Sequence, residues 1–251
     1  MIDAVVFDLD GVLTRTAGVH AAAWRSLFDG FLRSRAERDG TVLVPFDPSA
    51  DYLAYVDGMP RRDGVRSFLA SRGIALPEGS PDDPEGTETV HGLAKQKDRW
   101  FREALDRVGV VADEGAVALV RALRARAVPV GVASSSRNAV EVLERVSILE
   151  LFDAVVGGVE IDALGLAGKP APDTFLECLR RLGGSDPARA VVVEDAIAGV
   201  AAGRAGGFGL VIGVDLGDQR ERLLESGADW VVGTLAEVSP DEIERRMRHL
   251  T

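Results

Sequence analysis

Cysteine is all but missing from this chain: Cys178 stands alone among 251 residues. A single thiol excludes an internal disulfide framework and a Cys-based zinc site, and makes a reducing cytoplasm the expected setting. Cys178 shares a helical stripe with Phe175, Leu179 and Leu182, which reads as core packing and not as a nucleophile. Long apolar runs are missing too. No eighteen consecutive apolar residues occur, and Asp3 and Asp8 interrupt the start, so neither membrane insertion nor secretion is expected. Positive charge is in deficit: 29 basic against 40 acidic residues give −11, which argues against a nucleic-acid partner. An anionic substrate must therefore be met by local cations and not by the overall field. There is no internal repeat and no low-complexity tract. Gly199, Gly203, Gly206 and Gly207 do not form a G-x-G-x-x-G directly after a strand, so no nucleotide cofactor is expected; close helix packing and a helix C-cap account for them.

What is present is the composition of a globular protein, 46% hydrophobic and 27% charged, on a chain long enough for one large domain or two modest ones. From 19 to 108 no strand alternation occurs. Trp24, Leu27, Phe28, Phe31 and Leu32 repeat at helical spacing, Val65, Phe68 and Leu69 suggest a second helix ending near Gly73, and a third is expected over 93–108. Between them, 33–55 reads as broken by Pro45 and Pro48, and 77–92 as a surface loop. From Gly109 onward apolar strands are expected at 128–133, 154–156, 190–193, 209–214 and 230–232, with helices between them. The expectation is an α/β fold: a Rossmann-like, doubly wound parallel sheet over 1–17 and 109–251, with an inserted all-helical domain over 18–108. Trp24, Trp100 and Trp230 are expected in cores, and His91 and His249 receive no function.

Parallel sheets of this kind place ligands beyond the carboxyl ends of their strands. Three polar clusters fall there: Asp8 and Asp10 after the first apolar run, Ser134 to Asn138 after the second, and Glu194-Asp195 after a later one. Alone, an Asp-x-Asp after a strand is most often a polar turn, and Glu194-Asp195 could equally be an acidic helix start. Together the clusters supply what phosphoryl transfer needs. Asp8 could attack phosphorus, Asp10 could carry the proton, and Ser134 with the amide beyond it could bind phosphoryl oxygens. Lys169 could give a fixed positive charge, and Asp8, Asp10, Glu194 and Asp195 an all-oxygen Mg2+ site.

Asp8-Leu9-Asp10-Gly11-Val12-Leu13-Thr14, Ser134, Lys169-Pro170 and Glu194-Asp195 resemble, in order and spacing, the four motifs of the haloacid dehalogenase superfamily. The resemblance covers the whole chain, with 19–108 where one subclass carries a helical cap. It implies a nucleophilic Asp8, an acid/base Asp10 whose carbonyl also binds Mg2+, and an aspartyl-phosphate intermediate. Within the superfamily the chain looks most like the β-phosphoglucomutases. That likeness rests on Ser134-Ser135-Ser136-Arg137-Asn138, on His20 and Trp24, on Gly58-Met59-Pro60-Arg61 and on Ala94-Lys95-Gln96-Lys97. It implies a phosphosugar substrate, glucose 1,6-bisphosphate as activating donor, and substrate contacts from Arg61, Lys97, Ser135, Ser136, Arg137 and Asn138. It also implies a hinge role for His20. Arg15 and Asp57 depart from the mutase pattern. The alternative is a phosphatase on a small sugar or polyol phosphate with the same catalytic set. A monomer or weak dimer is expected.

Overall fold

The computed structural model describes residues 2–40, 42, 44–217 and 219–250. The chain divides into two compact units, one formed by residues up to Arg15 together with those from Val110 onward, the other by Thr16–Gly109.

The first unit is built on six parallel strands. β1 (Ala4–Phe7), β2 (Val130–Ala133), β4 (Ala190–Glu194) and β5 (Leu210–Val214) are buried along their whole length, as their apolar sequences, broken only by Glu194 at the end of β4, require when helices cover both faces. β3 (Ala154–Val156) and β6 (Trp230–Val232) are the edges. The spatial order is β3-β2-β1-β4-β5-β6. Val5 lies opposite Val130 on one side and Val191 on the other, so β1 is the centre of the sheet. The chain reverses its direction of travel between β1 and β4, the switch point at which a doubly wound sheet opens a crevice.

The connections after β1 that belong to this unit are α5 (Glu114–Ala125), α6 (Ala139–Arg145), α7 (Gly158–Leu164), α8 (Asp173–Arg181), α9 (Ile197–Ala205), α10 (Arg220–Glu225) and α11 (Pro240–Leu250). Cys178 on α8 is fully buried in the core with Phe175 and Leu179, its Sγ 3.5 Å from the Val132 carbonyl, and burial pushes its thiol pKa up. It is packing material, as its stripe implied.

The second unit is helical: α1 (Ala17–Asp39), α2 (Ala50–Tyr55), α3 (Arg61–Ser71) and α4 (Val90–Val108). Its core is aromatic, with Trp24 stacked on Phe28 at 5.1 Å and Phe28 against Phe68 at 4.0 Å. The Thr89 side chain accepts a hydrogen bond from the Gly92 amide and so starts α4. No helix of the described residues is long and apolar enough to cross a membrane.

Three expectations need correction. The stretch 33–55 is not simply broken: α1 runs on to Asp39, where Gly40 at φ +66 closes it, and α2 follows Pro48. α2 has only six residues, too few to register as a period, and tertiary contacts sustain it. No residues were assigned in advance to α7, α10 or α11; the first two are short, at seven and six residues. Trp230 is half-buried on the edge strand, with the Arg246 guanidinium 4.1 Å from its ring centre.

Candidate functional site

β1 delivers Asp8 to the carboxyl edge of the sheet, and the Asp8 amide donates to the Val193 carbonyl at 2.9 Å, locking it between β1 and β4. The chain then folds on itself: the Gly11 amide donates to the Thr14 carbonyl, and the Leu13 and Thr14 amides and the Thr14 hydroxyl all donate to the Leu9 carbonyl. Gly11 sits at φ +92, where a side chain is strained, and a Cβ there would lie 1.9 Å from Asp195 Oδ2. The glycine therefore lets the Asp195 carboxylate press against the loop that carries Asp10.

Lys169 reaches the same place from the loop before α8. Its buried Nζ donates to Asp8 Oδ1 at 2.5 Å, to Glu194 Oε1 at 2.7 Å and to the Ala133 carbonyl at 3.2 Å, and lies 4.6 Å from the Phe175 ring centre. The second oxygen of Glu194 accepts from the Ala196 amide at 2.6 Å, so each oxygen of this expected metal ligand also accepts one hydrogen bond within the protein. Gly199 makes this possible, since a Cβ there would fall 1.7 Å from Glu194 Oε1.

Burial works against the Lys169 ammonium, yet Asp8 and Glu194 outweigh it and hold its pKa above the usual lysine value. Burial also lifts the Asp8 carboxyl to about 8 against the pull of Lys169, with Glu194 and Asp10 adding to the rise. One ammonium cannot neutralise this many carboxylates. The surplus negative charge is what a dication would take up, and Asp8, Asp10, Glu194 and Asp195 are the donors expected for it. Among the described residues no three acidic, histidine or cysteine side chains form a ready cage. Mg2+ is commonly held by one or two carboxylates and several waters, so two carboxylates suit it.

Beyond β2 the chain makes nested turns: Ser134 Oγ accepts from the Ser136 amide at 3.1 Å and Ser136 Oγ from the Asn138 amide at 3.2 Å. Ser134, Ser136 and Asn138 are buried and Ser135 is half-buried. α7 closes on this loop through the Gly158 amide, which donates to the Ser136 carbonyl at 2.8 Å. Arg137 is exposed and paired with Asp162 on α7.

In the helical unit, Lys97 is buried despite its charge. Its Nζ lies 2.7 Å from His20 Nδ1 and within 5 Å of the Trp24 and Phe101 ring centres, at 4.9 and 4.8 Å. A charged Lys97 fixes His20 as the tautomer with its proton on Nε2. Gly58, at φ +69, turns the chain into α3, whose first residue, Arg61, pairs with Asp98 at 2.8 Å. The spacing did not reveal Gly11 and Gly199 as room-makers, nor Asp98 and Asp162 as arginine partners. Only the glycine next to Asp10 carried a local signal.

A family model described as haloacid dehalogenase-like hydrolase matches residues 2–207. The chain belongs to the haloacid dehalogenase-like hydrolase family. Within this family it is 47% identical over 240 residues to a β-phosphoglucomutase of Mycobacterium bovis, covering 94% of this chain and 91% of that one. It is 28% identical to a phosphorylated carbohydrates phosphatase of Thermotoga maritima, with 96% of both chains covered. A β-phosphoglucomutase structure from Clostridium difficile superposes with a TM-score of 0.76 at 24% identity, covering 99% of this chain and 98% of that one. That last likeness establishes the shared haloacid dehalogenase-type fold.

Proposed function

We propose that this protein interconverts β-glucose 1-phosphate and glucose 6-phosphate by Mg2+-dependent phosphoryl transfer through an aspartyl phosphate on Asp8. Glucose 1,6-bisphosphate is the activating donor. The observation that carries the reading is 47% identity to a β-phosphoglucomutase along nearly the whole chain.

The residues divide the work as follows. An Asp8 oxygen attacks phosphorus while the bond to the leaving sugar oxygen breaks, and Asp10 gives that oxygen its proton. In the second half a hydroxyl of the sugar attacks the aspartyl phosphate and returns a proton to Asp10, which restores both carboxyl groups. Lys169 keeps Asp8 oriented, and Glu194 keeps Lys169 in place. Ser134 and the amide that follows it answer the phosphoryl oxygens. A bound Mg2+, held by Asp8, Asp195 and the Asp10 main chain, supplies countercharge to the phosphoryl group. In the helical unit this reading assigns Arg61 and Lys97 to substrate phosphate; in the α/β unit it assigns Ser135, Ser136, Arg137 and Asn138 as substrate contacts. A phosphatase acting on a small sugar phosphate is the second reading, favoured by the Thermotoga maritima relative.

The test is to supply Mg2+, β-glucose 1-phosphate and a trace of glucose 1,6-bisphosphate and to follow glucose 6-phosphate and free phosphate together. Glucose 6-phosphate without matching phosphate release is the expected result, and excess chelator silences it. Phosphate release alone overturns the mutase reading in favour of the phosphatase.

A further inference from the structure

Two of the arginines expected to meet substrate phosphate are each held by an aspartate on a neighbouring helix: Arg137 by Asp162 and Arg61 by Asp98. The two couples differ in kind. Arg137 and Asp162 are 47% and 32% exposed at their side chains, where an ion pair contributes little and the partners exchange readily with water. Arg61 and Asp98 are 14% and 22% exposed, so their pair is shielded and geometrically fixed.

We infer that Asp98 is the positioning residue that presets Arg61 for a phosphate dianion. The inference rests on the reading of Arg61 as a phosphate-binding side chain. Arg61 is the first residue of α3, directly after Pro60, so its main chain is rigid while its side chain retains four rotatable bonds. Fixing such a side chain costs substantial rotamer entropy, and a ligand that must do the fixing binds more weakly by that amount. Asp98 does it beforehand: its Oδ1 lies 2.8 Å from Arg61 Nη2, a contact that engages one of the five N–H donors of the guanidinium.

Asp98 Oδ2 also faces Arg102, at 3.7 Å, one turn further along α4, so this one carboxylate is shared between two arginines. Asp98 and Lys97 are adjacent on α4, so the helix that carries one candidate phosphate ligand also aims the other.

The experiment compares Asp98→Asn, Arg61→Ala and the double variant in the mutase assay. Asp98→Asn keeps the shape of the side chain and removes its charge. Its expected effect is a rise of about tenfold or more in KM for β-glucose 1-phosphate with kcat within about twofold, the scale of one lost charged hydrogen bond. Asp98→Glu restores the charge and recovers most of the loss, a rescue that a merely structural role would not give. The double variant is no worse than Arg61→Ala alone. An Asp98→Asn enzyme with unchanged KM, beside an Arg61→Ala enzyme with raised KM, overturns the inference and leaves the reading of Arg61 intact. An Arg61→Ala enzyme with unchanged KM overturns that reading and the inference with it. Should Asp98→Asn melt well below the parent, Asp98→Glu alone decides: a KM raised as far as that of Arg61→Ala counts against positioning.

Discussion

Each unit of this protein buries one lysine, and the two are stabilised in opposite ways. Lys169, in the α/β unit, is closed in by two carboxylates and a carbonyl within 3.2 Å. Lys97, in the helical unit, lies against an imidazole nitrogen and the faces of Trp24 and Phe101. Carboxylates surround the first, whereas π faces and an imidazole nitrogen flank the second. The difference teaches how each can act. A lysine wrapped in carboxylates is committed to holding them in place. Lys97 is the cation that the proposed function assigns to an incoming anion. The α/β unit is thus preassembled around its reacting groups, and in that reading the helical unit supplies cations to the substrate.

The largest effect expected of any single change falls on the preassembled side. Asp8→Asn removes the nucleophile while keeping its shape, and phosphoryl transfer is expected to fall by about ten-thousandfold or more, with the fold intact. Turnover and circular dichroism on the same preparation check this; activity within tenfold of the parent refutes the assignment. Next comes the lysine contrast itself. Lys169→Met leaves Asp8 and Glu194 buried without their common cation, and breaking a buried ion pair in this way costs about 3–5 kcal/mol. Urea unfolding in metal-free buffer measures it. Lys97→Met removes a cation set against an imidazole and two rings, so its cost is expected to be smaller, about 1 kcal/mol or less, while KM for the phosphosugar rises. Equal losses of stability in the two variants break the comparison.

Much of the α/β unit was legible because a strand buried on both faces is written as a continuous apolar run, and because chemistry sits where those runs end. Asp8, Ser134 and Glu194 all stand at such ends, and Lys169 was marked by the polar turn before α8. The direction in which a carboxylate points was not legible. Glu194 reads as a possible metal ligand beside Asp195, and spacing cannot reveal that its two oxygens also meet Lys169 and the Ala196 amide. Nor could sequence pair Arg61 with Asp98, 37 positions apart, or Arg137 with Asp162, 25 apart, since contacts across elements leave no period. In the helical unit, the stripes of α1, α3 and α4 were readable over several turns, whereas α2 is too short to show one.

The smallest effects bear on the same contrast through glycine. In the α/β unit, Gly199 is required by its neighbour: a methyl group there would overlap the Glu194 side chain, 1.7 Å from Oε1 and 2.0 Å from Cδ. Gly199→Ala is expected to cost about 1–3 kcal/mol, the usual price of overpacking, and to disturb the Glu194–Lys169 contact with a matching loss of turnover. In the helical unit, Gly30 lies in the middle of α1 on an exposed face, with nothing within 4 Å of the position a Cβ would take. There glycine only weakens the helix, because it gives the unfolded chain more freedom than alanine does. Gly30→Ala should therefore stabilise the protein by about 0.5–1 kcal/mol and leave turnover unchanged. Unfolding midpoints for the two variants, measured side by side, are expected to move in opposite directions. A Gly199→Ala protein as stable as its parent would mean that Glu194 can leave Lys169 at little cost, and the α/β site would then be no more preassembled than the helical one.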